Sequence, residues 1–296
     1  MQGTEIVDPR YVDIDFWTTE DAVEAILDGQ LSAVASLRNQ TTVLARAAEA
    51  ATPLLSAGGR LVYVGAGTSG RIAVQDGVEL GPTFGWPKER LAFLIAGGLD
   101  ALSVSAEGAE DDRNEALRQL ATQAVGRGDV LIGVAASGRT PFTVAALEEA
   151  RRAGALTIGV ANNPHSPLLA AAEFAILADT GSEPIAGSTR LKAGTAQKIV
   201  LNILSTAIML RLGRVYRGLM VDMVISNDKL LHRGHQMVRT LSGCSEDAAV
   251  AALTAAGNDI KKAVLIARGI AIEDAEGLLA RNDRILRRAI DELERR

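Results

Sequence analysis

Cysteine and aromatic residues are scarce in this sequence of 296 residues, and its 31 basic residues are fewer than its 36 acidic residues. Its single cysteine, Cys244, excludes a disulfide framework and is typical of a protein from a reducing cytoplasm. Hydrophobic residues make up 48% of the chain but aromatic residues only 3%, so aliphatic side chains have to fill the core. The formal net charge of −5 excludes a broadly basic surface for nucleic acids.

The sequence also lacks the apolar segments that direct a chain to a membrane. Residues 1–10 are polar and acidic and contain no signal-peptide core. The longest apolar stretch, residues 199–212, is interrupted by Asn202, Ser205, Thr206 and Arg211. It therefore falls short of the ~18 apolar residues that a membrane-spanning helix needs. We predict a cytoplasmic protein that has neither a membrane nor a nucleic acid as its partner.

The order of apolar patterns predicts an α/β fold with helical additions at both ends. Residues 1–57 are predicted to be a helical lead-in, in which Thr18 or Thr19 caps a helix with Val23, Ile26, Leu27, Leu31 and Val34 at helical spacing. Short apolar runs then alternate with helical segments, at residues 61–64, 91–95, 130–135, 156–160 and 174–177. This alternation predicts a doubly wound parallel five-stranded sheet within residues 58–225. That segment also holds one long helix over residues 188–211, and residues 226–296 are predicted to form a small helical C-terminal region.

A glycine-rich loop, GAGTSGR at residues 65–71, follows the first predicted strand. Its glycines fit the G-x-G-x-x-G pattern of dinucleotide sites, which also require an acidic residue at the end of the next strand. That strand, residues 91–95, ends in Ala-Gly-Gly, and the nearest acidic residue, Glu89, precedes it. Backbone N–H groups at a helix start also bind phosphate, and Thr68 and Ser69 add hydroxyl donors. The loop therefore favours a phosphate ester over a dinucleotide.

A second loop of the same kind follows the third predicted strand. Residues 137–140 (SGRT) precede a helix that begins with Pro141, and proline is favourable in the first helical turn. Ser137 and Thr140 can join Ser69 around one phosphate, because the carboxyl ends of parallel strands meet at one edge of the sheet. The alternative is that these hydroxyl groups only cap helices. The presence of two such loops in one chain favours a phosphate site.

With these loops the chain resembles the sugar isomerase domain superfamily, whose members bind phosphosugars without a metal or a nucleotide. Within that superfamily, five ordered motifs resemble the N-acetylmuramic acid 6-phosphate etherase family over nearly the whole chain. They are GAGTSGR at 65–71, Glu79 with Gly-Pro-Thr close behind it, AEGAEDD at 106–112, ASGRTPF at 136–142 and GSTRLKAGTAQK at 187–198. Two departures are Gly77, in a stretch that is usually Ala-Ser, and Ser182, where proline is usual.

The resemblance implies a carbon–oxygen lyase of cell-wall amino-sugar recycling. Such an enzyme removes D-lactate from N-acetylmuramic acid 6-phosphate by elimination and hydration, gives N-acetylglucosamine 6-phosphate and uses no cofactor. By the family's assignment Glu79 is the proton donor, which burial against Val78 and Leu80 would keep neutral, and Glu110 is the base. The positions implied in phosphate or sugar binding are Gly67, Thr68, Ser69, Ser137, Gly138, Arg139, Thr140, Glu183 and Lys192.

Two alternative functions share the phosphate loops. An aldose–ketose phosphosugar isomerase needs no acid at the sugar's C3, and a regulatory phosphosugar-binding module lacks the catalytic pair. The presence of both Glu79 and Glu110 favours the lyase. His232 and His235 have a spacing that suits a metal, but no Asp, Glu or Cys cluster accompanies them, so no metal site is predicted. The tail resembles a ubiquitin-associated-type bundle of no identified ligand.

The length of one helix bears on the oligomeric state. A continuous helix from Gly70 to Glu79 places this glutamate ~13 Å from the phosphate-binding end, which is further than the sugar spans between its phosphate and C3. Either the helix breaks near Gly77, or Glu79 comes from a second subunit. We therefore expect a homodimer with the site near the subunit interface.

Overall fold

The computed structural model describes residues 3–104 and 106–295. At its centre lies a parallel sheet of five strands in the order β2-β1-β3-β4-β5. The strands are β1 (Leu61–Gly65), β2 (Leu91–Ile95), β3 (Val130–Val134), β4 (Leu156–Ala161) and β5 (Phe174–Leu177). Every residue of β1, β3 and β4 is buried, whereas the edge strands β2 and β5 are partly exposed. The predicted doubly wound five-stranded sheet is confirmed.

Helices precede the sheet, alternate with its strands and follow it, as predicted. Before β5 they are α1 (Thr19–Ser36), α2 (Thr41–Ser56), α3 (Gly67–Phe84), α4 (Arg113–Thr122), α5 (Pro141–Arg152) and α6 (Pro167–Ala171). After β5 they are α7 (Lys192–Arg211), α8 (Asp228–Ser242), α9 (Glu246–Ala255), α10 (Ile260–Ala267), α11 (Ile272–Ala280) and α12 (Leu286–Leu293). A 3-10 turn, Ala109–Asp111, lies between β2 and α4.

The strand order reverses between β1 and β3. β2 lies on one side of β1, and β3, β4 and β5 follow on the other side. In doubly wound sheets, ligands bind beyond the carboxyl ends of the strands at this point of reversal. Gly65 and Val134, the last residues of β1 and β3, are partners in the register. The loops that leave these two strands therefore start side by side, where the fold favours a ligand.

Helix α1 starts as predicted but turns its apolar residues outwards. The Thr18 hydroxyl accepts a hydrogen bond from the Asp21 N–H at 3.1 Å and so caps the helix. On the helix surface, the side chains of Val23, Leu27, Leu31 and Val34 are 59%, 55%, 60% and 43% exposed. Their spacing of three or four residues places them on one face. We call these four residues the α1 stripe.

Helix α7 begins at Lys192 and not at residue 188 as predicted. The residues before it form turns, in which the Leu191 N–H donates to the Ser188 carbonyl oxygen at 3.2 Å. Within the part of the chain that the structure describes, α7 alone is long and apolar enough to cross a membrane. However, 56% of the apolar window is buried in the protein, and Asn202 and Ser205 hydrogen-bond Asp76, as in a core helix.

The chain divides into two compact units. The first, which we call the sheet unit, comprises Met1–Gly77 and Glu89–Ile208, and the second, the tail unit, comprises Val78–Lys88 and Met209–Arg296. The tail unit has its own core, to which Met237, Leu253, Val264, Leu278 and Ile290 contribute. The second half of α3 belongs to the tail unit although the helix begins in the sheet unit. The predicted division at residues 57 and 225 stays a prediction.

Candidate active site

The loop after β1 has the geometry of an anion site. Gly67, the first residue of α3, has a φ of +51°, a value that glycine adopts without strain. Gly65 and Gly70 touch, since a Cβ atom built on Gly70 would lie 3.1 Å from the carbonyl group of Gly65. Ser69 is buried and Thr68 half-buried, and among the described residues neither hydroxyl group has a hydrogen-bond partner. The start of α3 therefore offers backbone N–H groups and two hydroxyl groups to a ligand.

The loop after β3 is built in a similar way. Gly138 has a φ of +63°, and a Cβ atom there would lie 2.2 Å from the Ser166 Oγ, so only glycine fits. The Ser137 Oγ accepts a hydrogen bond from the Arg139 N–H at 3.1 Å. Thr140 is the N-cap residue of α5, yet its side chain makes no capping hydrogen bond. Capping therefore does not account for the Thr140 hydroxyl, and the exposed Arg139 side chain adds a positive charge nearby.

One cavity joins the start of α3 to Glu110. It has a volume of about 310 Å³, and its polar lining consists of Arg71, Glu107 and Glu110 beside the backbone of Gly67 and Gly108. Four alanines complete it, Ala66, Ala96, Ala101 and Ala106. Glu110 lies on the Ala109–Asp111 turn with an exposed side chain. The structure thus brings this sequence-predicted base to the end of α3 that was predicted to hold phosphate.

Arg71 supports the segment that leads to Glu110. Its Nε donates to the Leu102 carbonyl oxygen and its Nη2 to the Ala101 carbonyl oxygen, both at 3.0 Å. Sequence reasoning assigned no role to this residue, although it ends the glycine-rich motif. Its side chain links the first turns of α3 to the loop between β2 and α4. Two hydrogen bonds of this kind require the planar guanidinium group of arginine, which carries several N–H donors in a fixed geometry.

Glu79 lies on α3, which runs without interruption through Gly77. The alternative of a helix break near Gly77 is therefore wrong. A Cβ atom on Gly77 would lie 2.6 Å from the Phe93 ring and 3.2 Å from the Tyr63 ring, so this glycine serves close packing. The expected burial of Glu79 is also wrong, because its side chain is exposed and Val78 is 50% exposed. Only Leu80, at 2% exposed, is buried as expected.

A buried carboxylate three residues before Glu79 escaped the sequence analysis. Asp76 accepts hydrogen bonds from the Tyr63 hydroxyl at 2.9 Å, from the Asn202 Nδ2 at 2.6 Å and from the Ser205 Oγ at 3.2 Å. Burial, followed by the nearby Asp76 charge, raises the pKa of Tyr63 well above its usual value. The network ties α3 to β1 and α7. Sequence alone gives no sign of it, since the partners of Asp76 are up to 129 positions away from it.

Glu183 and Lys192 hydrogen-bond other groups of the protein in this structure. Glu183 is fully buried, and its two oxygens accept hydrogen bonds from the Lys192 and Ala193 N–H groups, both at 2.9 Å. It thereby caps α7, while the Lys192 Nζ donates to the Ser182 carbonyl oxygen at 2.8 Å. Burial raises the pKa of Glu183 and lowers the pKa of Lys192. Their assignment to sugar binding stays a prediction.

The two histidines lie on α8. His232 is exposed, and its Nε2 is 2.9 Å from the Nε2 of Gln236, while His235 is half-buried. Across residues 3–104 and 106–295, no group of three or more His, Cys, Asp or Glu side chains is arranged to hold a metal ion.

Comparisons with known proteins bear on the fold and the family of this chain. A model of the SIS domain matches residues 109–207, and a model of the glucokinase regulatory protein N-terminal SIS domain matches residues 43–151. The solved structure of a ligand complex of an E. coli CFT073 protein superposes with a TM-score of 0.51 over 73% of this chain and 100% of that chain. At 21% sequence identity, that likeness concerns the fold alone.

Two curated relatives cover nearly the whole chain. The N-acetylmuramic acid 6-phosphate etherase of Deinococcus radiodurans is 50% identical over 273 residues, which are 92% of this chain and 90% of that protein. The N-acetylmuramic acid 6-phosphate etherase of Erwinia tasmaniensis is 43% identical over 97% of this chain and 94% of that protein.

Proposed function

The chain belongs to the N-acetylmuramic acid 6-phosphate etherase family, and we propose that it cleaves the lactyl ether of N-acetylmuramic acid 6-phosphate. The observation that carries this proposal is the cavity that holds Glu110 beside the start of α3. A phosphosugar bound by its phosphate at the two loops would place its ring in that cavity. The products are N-acetylglucosamine 6-phosphate and D-lactate, as in the recycling of cell-wall amino sugars.

The reaction requires a base and an acid because an alkoxide leaves poorly. Ring opening exposes the C1 aldehyde and acidifies the C2 proton, which the Glu110 carboxylate removes. The electron pair of the C2–H bond first moves towards the C1 carbonyl oxygen as an enolate, which can take its proton back. From the enolate the pair forms the C2=C3 double bond as the C3–O bond breaks, and Glu79 protonates the departing lactate oxygen. Water then adds its oxygen to C3 and a proton returns to C2. Overall, N-acetylmuramic acid 6-phosphate and water are converted to N-acetylglucosamine 6-phosphate and lactate.

The phosphate site is assigned to both glycine loops. The N–H groups at the start of α3, the hydroxyl groups of Thr68 and Ser69, and the loop Ser137–Gly138–Arg139–Thr140 supply its donors. Each contact of an anion with a helix start contributes only about 0.3–1 kcal/mol. Several donors are therefore needed together, and the two loops leave neighbouring strands.

A second copy of this chain is the partner that we propose for the α1 stripe and for Val78. The uninterrupted α3 leaves Glu79 ~13 Å along the helix from Gly70, which favours its action on the substrate of a partner subunit. In the single chain Glu79 is exposed, whereas a proton donor benefits from a drier setting. Apolar stripes such as Val23, Leu27, Leu31 and Val34 are common in subunit interfaces. A homodimer in the cytoplasm is the state we propose.

Lactate release in water enriched in oxygen-18 tests the function. We expect lactate from N-acetylmuramic acid 6-phosphate, with the label on the C3 hydroxyl group of the sugar, and loss of both in Glu79→Ala and Glu110→Ala. Unlabelled sugar would contradict elimination and hydration. Phosphosugar binding without lactate would favour a regulatory module, and aldose–ketose conversion an isomerase.

Mixing the two inactive variants tests the shared site. If Glu79 acts on the partner's substrate, a mixed dimer of Glu79→Ala and Glu110→Ala contains one intact site, and lactate release returns on mixing and subunit exchange. If both glutamates act within one chain, each site of the mixed dimer keeps a defect and no activity returns. Leu27→Glu with Leu31→Glu should convert the dimer to monomers in sedimentation.

A further inference from the structure

Within the tail unit, the second half of α3 is held by other segments of the chain and not by its own hydrogen bonds alone. Pro82 lies inside the helix and has no N–H group to donate to the preceding turn, which weakens the helix just after Glu79. There, donors from outside the helix hydrogen-bond its carbonyl oxygens. The Val224 N–H donates to the Pro82 carbonyl oxygen at 3.1 Å, and the Arg214 Nη1 donates to the Phe84 carbonyl oxygen at 3.3 Å.

Asp222 is the centre of these contacts. A Cβ atom on Gly85, the residue after α3, would lie 2.6 Å from the Asp222 carbonyl oxygen, so the two backbones are in close contact. The Asp222 carboxylate lies 3.6 Å from the Arg214 guanidinium and accepts a hydrogen bond from the Lys261 Nζ. Its side chain is 12% exposed and that of Lys261 is 2% exposed. A nearly water-free ion pair therefore lies behind the end of α3.

Lys261 connects this pair to the helical bundle. It is on α10, and its Nζ also donates to the Arg284 carbonyl oxygen, just before α12, at 2.8 Å. One ammonium group thus joins α10, the segment before α12 and the Asp222 loop that touches Gly85. Burial raises the pKa of Asp222 and lowers the pKa of Lys261, so both charged forms are held against a desolvation cost. Apolar residues often replace such buried pairs without loss of stability. Their presence is better explained by the position that they fix.

We propose that Lys261, through Asp222, is a positioning residue for Glu79. The inference rests on the proposed function, in which Glu79 protonates the departing lactate oxygen. It gives the tail unit a task in the reaction, namely to fix the end of the helix that carries the acid. Loss of the Lys261 contact should slow the step that needs Glu79 and leave the step that needs Glu110 intact.

Two readouts on one substrate separate these steps. In deuterium oxide, the Glu110-dependent step appears as deuterium at C2 of unreacted substrate, and the Glu79-dependent step appears as lactate. For Lys261→Met we expect kcat for lactate release to fall about 10- to 100-fold, with C2 exchange and KM within about twofold of wild type. Those magnitudes are typical of misplaced catalytic groups. Lys261→Arg, which keeps the charge and the donors, should recover most of the rate.

Two further variants keep the test decisive. Lys261→Met with Asp222→Leu removes both charges together, so that no unpaired charge stays buried, and it should fold yet release lactate as slowly as the single variant. Lys262→Met, at the neighbouring half-buried lysine of α10, should match wild type. Equal falls of C2 exchange and lactate release, or no fall in either, would overturn the inference. Wild-type lactate release in Glu79→Gln would instead overturn the proposed role of Glu79, and this inference with it.

Discussion

The segments that carry Glu110 and Glu79 are supported in different ways. Glu110 lies on a short 3-10 turn at the rim of a cavity, and the loop before it is fixed by two hydrogen bonds from Arg71. Glu79 lies on an 18-residue helix whose first half is held by the Asp76 network and whose second half accepts a hydrogen bond from Arg214. A turn can follow the substrate by small backbone changes, whereas a packed helix cannot. We infer that the segment of Glu110 can adapt to a ligand, whereas the helix that carries Glu79 is rigid.

The largest difference between C2 exchange and lactate release is expected when each of the two glutamates is replaced by glutamine. Glu110→Gln removes the base, so both C2 exchange and lactate release should fall at least ~100-fold, in the range of general acid–base catalysis. Glu79→Gln removes only the acid, so lactate release should fall by a similar factor while C2 exchange continues. Exchange and lactate release are followed together by NMR. Loss of exchange in both variants would mean that the two roles are not separate.

Removal of Arg71 should loosen the loop before Glu110 and leave the helix that carries Glu79 unchanged. Arg71→Ala deletes the donors to the Ala101 and Leu102 carbonyl oxygens. We expect kcat to fall about 10- to 100-fold through misplacement of Glu110. C2 exchange should fall by the same factor, unlike in the Lys261 variant. Arg113→Ala, which removes an exposed ion pair with Glu148, is the control and should keep full activity.

Substitution of two glycines tests how tightly the two halves of α3 are packed. Gly77→Ala brings a Cβ atom to 2.6 Å from Phe93 and should lower the free energy of unfolding by about 1–3 kcal/mol. Gly81→Ala meets nothing nearer than 3.8 Å and should raise it by about 0.5–1 kcal/mol, because alanine favours the helix. Urea unfolding measures both. Equal effects would contradict the tight contact of α3 with β1 and β2.

Unlike Glu79 and Glu110, Glu183 has no access to solvent, so its protonation should affect the stability of the fold. Its raised pKa means that the folded state keeps the proton to higher pH than the unfolded chain, so the stabilisation is complete below about 4.3 and is lost as the pH rises. Glu183→Gln leaves one of two buried N–H groups unpaired, at a cost of about 1–3 kcal/mol. The difference in unfolding free energy between wild type and variant should shrink as the pH rises from about 4 to 7. The exposed Glu173→Gln is the control, and a constant difference would contradict the argument.

The sequence was sufficient to locate the strands and the two glycine loops because their signals are local. Continuous apolar runs and glycine–hydroxyl loops are short, and β2 and β5 have the predicted bounds. The outward orientation of the α1 stripe was not predictable, since helical spacing alone does not tell a core face from an interface. Gly77 was misjudged for a related reason. Its partners Phe93 and Tyr63 lie on other elements, so a packing glycine resembles a helix breaker.

The supports of the candidate site were beyond the reach of sequence for the same physical reason. Arg71 and Asp76 act through contacts with residues that are 13 to 129 positions away. A charged residue on a helix is usually solvated, and nothing in its neighbours marks it as buried. The two glutamates to which we assign the proposed reaction were identified through the family resemblance, whereas their structural supports required coordinates.

The hydrogen bond between Tyr63 and Asp76 gives the sheet unit an optical reporter. A buried phenol that donates to a carboxylate keeps its proton in alkali that ionises exposed tyrosines, so its ultraviolet phenolate band stays absent while the fold persists. The raised pKa also makes this interaction a source of alkaline instability, because its stabilisation is lost as the pH rises above about 10, where an unfolded tyrosine ionises. In an alkaline titration the absorbance of this one phenolate should rise together with unfolding. The residue that anchors α3 thereby reports, without a label, when the anchor is lost.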